Sequence, residues 1–205
     1  QVDGFSAQHG VSDTVRQRLR ATARAQATFS SPLVGPDVEV ATSAFPTGSP
    51  PEAVAVLREE LIPLAKVITP NLPEAAVLLG RRGDWTEAAM RDALPALLAM
   101  GADWVLLKGG HLEGSAESTD LLAGPDGVIA FPAPRLQTRN GHGTGCTLSS
   151  ALAALLPHYP MPEAVRRAKL YLQGALAASE QLDVGQGTGP VHHFHALWSG
   201  AGAVD

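Results

Sequence analysis

From Pro51 onward the apolar positions fall into two alternating rhythms. Ser49-Pro-Pro-Glu52 has capping-box spacing ahead of Ala53–Leu61, whose apolar residues recur at helical spacing. Lys66-Val-Ile-Thr69 is a short apolar run stopped by Pro70, which predicts a buried strand. Asn71-Leu-Pro-Glu74 then opens a helix over 74–79, closed by Gly80. Thr86 caps the next helix, 86–100, which carries Pro95 inside and ends at Gly101. Asp103–Lys108 reads as a core strand. Thr119–Ala123 and Val128–Phe131 flank Gly124-Pro-Asp-Gly127, the pattern of a β-hairpin. Two helices follow, 146–156 and 164–180, the second with Arg166, Arg167 and Lys169 on a predicted wet face. Strands alternating with helices imply an α/β sheet whose site lies at the carboxyl ends of its strands.

The first fifty residues break this rhythm. They are rich in Ala, Arg, Ser, Thr and Pro and poor in large apolar residues. Residues 11–26 suit a helix, but its four arginines fall on more than one face and leave a narrow apolar stripe. Val38–Ser43 is a short strand candidate. The expected division is therefore an atypical segment over 1–50 and an ordered domain over 51–205.

Composition narrows the function classes. A chain of 205 residues can bury one good core. A formal charge of −5 argues against general binding to nucleic acid or anionic membranes. No apolar run is long enough for a bilayer, the first residues do not read as a signal peptide, and a single cysteine forbids an internal disulfide. Cytoplasmic residence fits all of these.

The chemistry concentrates in Thr138-Arg-Asn-Gly-His-Gly-Thr-Gly-Cys-Thr-Leu-Ser-Ser150. A glycine-rich turn opening onto a helix leaves amide N–H groups pointing outward, and the helix dipole adds partial positive charge. Such a mouth suits phosphate, and Cys146 would sit in the same field. Three further segments carry candidate groups. Asn71 and Glu74 stand just beyond a strand end, where a carboxylate can hold hydrated Mg²⁺, although the same pair also reads as an N-cap and its capping-box partner. Lys108 ends a strand ahead of Gly109 and Gly110, which permit close backbone approach. Gly185-Gln-Gly-Thr-Gly-Pro190, including Gly187 and Gly189, reads as a flexible loop. Asp120 at the start of a hairpin strand reads as solvated, Arg139 as either a phosphate contact or a surface arginine, and His111 as an ordinary loop residue. His192, His193 and His195 lack a nearby carboxylate or cysteine at ligand spacing, which disfavours a metal site.

Asn140-Gly-His-Gly-Thr-Gly-Cys-Thr-Leu-Ser149, Val67-Ile-Thr-Pro-Asn-Leu-Pro-Glu-Ala75 and Lys108-Gly-Gly-His111 together resemble the hydroxymethylpyrimidine/phosphomethylpyrimidine kinases of thiamine biosynthesis. The resemblance runs from about residue 51 to 198. It implies a ribokinase-like α/β fold, a mostly parallel sheet flanked by helices with an antiparallel edge hairpin. The glycine-rich opening segment with which that family helps hold the pyrimidine has no recognisable counterpart here, so the fold is expected to be incomplete at its N-terminus. Leu61, Val67, Ile68 and the apolar side of the Cys146 helix would then lose part of their cover.

By the same resemblance, Gly143, Thr144 and Gly145 form the anion hole and Cys146 stands at the base position. Asn71 and Glu74 order Mg²⁺, Glu74 through water. Lys108, Gly109, Gly110 and Thr144 face ATP, and Gly187 and Gly189 border the adenine. The implied cofactors are ATP and Mg²⁺, the implied partner a small pyrimidine, and the implied assembly a homodimer. Three alternatives stay open: a non-catalytic nucleotide-binding remnant, a pyridoxal kinase, and a cysteine-nucleophile enzyme pairing Cys146 with His142 or His111.

Overall fold

The structure is a computed structural model that describes residues 40–41, 51–81, 84–112 and 114–198. The predicted helix over 11–26 lies outside the described residues, as do Ser49 and all of the 38–43 strand except Val40–Ala41. Five strands form one sheet in sequence order: β1 (Val40–Ala41), β2 (Val67–Ile68), β3 (Trp104–Leu107), β4 (Asp120–Gly124) and β5 (Gly127–Phe131). The first three run parallel, with Val40 opposite Val67 and Val67 opposite Trp104. β4 is antiparallel to β3 and turns back through Pro125-Asp126 into β5, the predicted hairpin edge.

Helices cover both faces, as strand alternation demands. Val67, Leu106 and Leu122 point to one side and pack on α4 (Thr144–Leu155) and α5 (Met161–Ala177). Ile68, Val105, Leu107, Leu121 and Ala123 point to the other, against α2 (Leu72–Leu79), α3 (Glu87–Leu98) and Leu57, which follows α1 (Pro51–Val56). Leu106, Leu107, Leu121 and Leu122 are fully buried, each worth about 1.5–3 kcal/mol of transfer free energy. The expected loss of cover at Val67 and Ile68 is not observed. Val67 is 0% and Ile68 4% exposed, and Leu61 packs against the same core.

Local signals explain the boundaries. Thr86 Oγ1 accepts the Ala89 N–H at the start of α3, and Gly80 stops α2 in the left-handed region at φ 61°. After α1 the helix widens into a π turn over Leu57–Leu61, then tightens to a 3-10 turn over Ile62–Leu64. Leu57 and Ile62, five residues apart, would point to different sides of a regular α-helix; the wide turn sends both into the core. A short helix α6 (His195–Trp198) ends the described chain. Among the described residues, no helix is long and apolar enough to cross a membrane.

Candidate phosphate site

The glycine-rich loop is braced from two sides before it meets α4. Asn140, 6% exposed, donates its backbone N–H to the Thr138 hydroxyl oxygen at 3.0 Å and its side-chain amide to the Ser179 carbonyl at 3.0 Å. The His142 N–H donates to the Gly189 carbonyl at 3.1 Å, so the C-terminal glycine loop runs alongside. Gly189 backs directly onto the Asn140 side chain, where a Cβ would collide. Gly143 then turns the chain in the left-handed region at φ 86° and becomes the N-cap of α4, without a side-chain cap. No side-chain oxygen caps the helix end, although the Thr144 N–H turns back to the Gly141 carbonyl at 3.4 Å.

Lys108 comes to this mouth from the sheet. Its backbone extends β3 past Leu107, pairing with Asn71 and donating N–H to the Pro70 carbonyl at 2.9 Å. Its Nζ lies 3.2 Å from where a Cβ on Gly145 would stand, so the ammonium sits against the first turn of α4 and would have to give by a few tenths of an ångström to any side chain there. Burial pushes the Lys108 ammonium below its ordinary value, while the charges of Glu74, Asp120 and Cys146 act against that push. Asn71 and Glu74 form the reciprocal capping box of α2: Glu74 N–H donates to Asn71 Oδ1 at 2.8 Å and Asn71 N–H to Glu74 Oε2 at 2.7 Å. Capping does not consume the carboxylate's charge, which acts on the Lys108 ammonium. Cys146 is exposed and, with Gly143 and Thr147, borders an open cavity of about 740 Å³ between α4 and α5.

The fold therefore gathers Asn71, Glu74, Lys108, Gly109, Gly143, Thr144, Gly145 and Cys146 around the amino end of α4. Gly110 is exposed beside the turn, Gly187 faces open space, and Gly189 acts as a brace for Asn140. Arg139, His111 and His142 are exposed. Of the three clustered histidines, His192 is 1% exposed and edge-on to Trp198, while His193 Nε2 meets Thr147 Oγ1 at 3.0 Å. Among the described residues, no group of three or more His, Cys, Asp or Glu side chains could hold a metal ion.

Two expectations are corrected. Asp120 is not solvated but 6% exposed, because β4 lies between two strands and its first side chain turns inward. Lys169 is not on the wet face of α5 but 7% exposed, with Nζ 2.8 Å from Asp120 Oδ2. The apolar stripe Met161, Ala164, Val165, Ala168 carries the signal, since position 169 falls on that stripe rather than beside Arg166 and Arg167.

Arg135 was not singled out by any motif. Its guanidinium donates to the carbonyls of Gly110, Ser115, Leu112 and Glu117 at 2.6–3.2 Å and so ties down the turn after Lys108. Arg135→Met should cost about 1–3 kcal/mol and speed amide exchange in 110–118 ahead of the rest of the chain, measurable by hydrogen-exchange mass spectrometry.

A mixed sheet flanked by helices, with a helix mouth and a lysine at the carboxyl ends of its parallel strands, defines an α/β protein whose loop geometry suits an anion. Comparison with known proteins identifies which: the phosphomethylpyrimidine kinase family model matches residues 12–192, and the chain belongs to that family. The match begins ahead of the stretch where motifs are legible. A hydroxymethylpyrimidine/phosphomethylpyrimidine kinase of Rhizobium meliloti is 49% identical over 184 residues, covering 89% of this chain and 68% of the relative. One from Salmonella typhimurium is 54% identical over 149 residues, covering 72% and 56%. The chain thus spans between about half and two thirds of these relatives. A pyridoxal kinase of Bacillus subtilis, solved with ADP, superposes with a TM-score of 0.67 at 34% identity, covering 72% of this chain and 55% of that one.

Proposed function

We propose that the chain phosphorylates 4-amino-5-hydroxymethyl-2-methylpyrimidine and its monophosphate, with ATP as donor and Mg²⁺ as the bridging cation. The observation that carries this reading is the meeting of the Lys108 ammonium with the glycine-lined first turn of α4, one residue from Cys146. Fixed positive charge, amide donors and a proton acceptor are what phosphoryl transfer asks of a protein. The family assignment and the relatives' names support the pyrimidine acceptor.

The donor set fits the implied cofactors. Triphosphate would lie against Lys108 and the Gly143–Gly145 amides. Gly109 and Gly110 would allow close backbone approach, with Gly187 and Gly189 near the adenine. Glu74 and Asn71 would hold Mg²⁺ through water, since Mg²⁺ keeps several waters when bound by one or two carboxylates. Bound, the cation supplies neutralisation of phosphate charge. The protein's share is placement: the α4 amides receive the transferring group, and the Cys146 sulfur takes the proton of the acceptor hydroxyl. Within this proposal the acceptor is a small pyrimidine, neither nucleic acid nor membrane is engaged, and the enzyme works as a cytoplasmic homodimer.

A coupled ADP-release assay with the pyrimidine alcohol, its phosphate and pyridoxal tests the reading. Faster turnover with the two pyrimidines is expected; preference for pyridoxal would select the second reading, which the Bacillus subtilis structure favours. Cys146→Ala should keep ADP affinity and lose about tenfold to a hundredfold in kcat. Unchanged kcat would remove the proton-accepting role from the sulfur.

A further inference from the structure

The strongest feature outside the site is a buried ion pair directly behind it. Lys169 uses all three ammonium hydrogens within the fold, donating to the Ser118 carbonyl at 2.7 Å, the Phe131 carbonyl at 2.6 Å and Asp120 Oδ2 at 2.8 Å. It thereby ties the start of β4 to the end of β5. The other Asp120 oxygen, Oδ1, accepts the Gly109 N–H at 2.9 Å. Gly109 in turn is pressed onto the Thr119 carbonyl, with no room for a Cβ. The residue before it is Lys108.

We propose that Lys169 and Asp120 are positioning residues of the phosphate site: α5 orients the Asp120 carboxylate, and that carboxylate fixes the Gly109 turn and so the aim of Lys108 at Gly145. Neither side chain touches the anion mouth. Their effect passes through one backbone hydrogen bond and through the negative charge that Asp120 presents to Lys108. The arrangement is costly unless it serves placement, because a buried ion pair is weak evidence for stability and an apolar pair of like volume often folds as well. The charged groups around Lys108 are Glu74 from α2, Asp120 from β4 and Cys146 from α4, with Lys169 balancing Asp120 from α5.

The proposal deepens the kinase reading and rests on it for its first test. ADP affinity in the presence of Mg²⁺ and thermal melting are measured for the unaltered chain, Lys169→Met, Lys169→Arg and the double variant Lys169→Met/Asp120→Asn. Lys169→Met strands a buried carboxylate, so both affinity and melting temperature fall, affinity by about tenfold. Lys169→Arg, keeping the charge, recovers most of the affinity. The double variant removes both charges and recovers melting temperature while affinity stays low. Affinity returning together with melting temperature would reduce the pair to a structural role and overturn the proposal.

If the unaltered chain binds no ADP, it is the kinase reading that fails. The relay is then read from the Gly109 amide by NMR hydrogen exchange. That amide should be protected in the unaltered chain and in Lys169→Arg, and fast-exchanging in Lys169→Met. Equal protection in all three sinks the relay.

Discussion

Lys108→Met should weaken ADP binding in the presence of Mg²⁺ by about a hundredfold while leaving the fold intact, read by calorimetry alongside thermal melting. The size follows from place. An exposed lysine near phosphate is screened and worth little, but this one is half-buried at the strand end, with its ammonium against the first turn of α4. Methionine keeps the length of the stem and its packing, so the loss isolates the charge. Because burial is the largest influence on this amine, it gives up its proton below the ordinary lysine range. The sign for binding follows: affinity should decline as pH rises through that lowered value, before free lysine would titrate, and the decline should vanish in Lys108→Met. The sign for stability is opposite. Folding favours the neutral amine, so this residue's contribution to stability improves as pH rises from the folded value toward the unfolded one. A pH-independent affinity in the unaltered protein would remove Lys108 from the anion site.

What the sequence reveals of this arrangement depends on how local the cause is. The turn at Gly143, the caps at Asn71 and Thr86, the stop at Gly80 and the hairpin around Pro125-Asp126 each depend on neighbours within a few residues. Each is legible for that reason. The two sheet faces also follow from alternation along β3, where Leu106 faces one layer and Val105 and Leu107 the other. Long-range pairing has no such marker. Lys169 and Asp120 meet across 49 positions, and a lysine beside two arginines looks like surface until the stripe of α5 is followed through it. Arg135 is harder still, since its partners are carbonyls, which every residue has. The capping box over Asn71 and Glu74 shows a third situation. The sequence offered helix cap and cation site as rival readings, yet the geometry satisfies the first while the Glu74 charge still acts on the Lys108 ammonium. A carboxylate that accepts a backbone N–H is better fixed for holding a hydrated cation, not disqualified from it.

Gly109→Ala should be the most damaging single-methyl addition in the described part of the chain near the site, lowering stability by about 3 kcal/mol in urea denaturation. No flexible side chain can move aside. The added carbon would meet the Thr119 carbonyl itself, so one of two backbones must shift. Either shift breaks the Gly109 N–H bond to Asp120 and pulls Lys108 out of line with Gly145. The neighbouring Gly110 is the control, because a Cβ there meets only the Ser118 hydroxyl at 3.7 Å, ordinary contact. Gly110→Ala should therefore melt close to the unaltered protein. Were the two alanine variants equally stable, the turn after β3 would not be held against β4 as described, and the aim of Lys108 would need another cause.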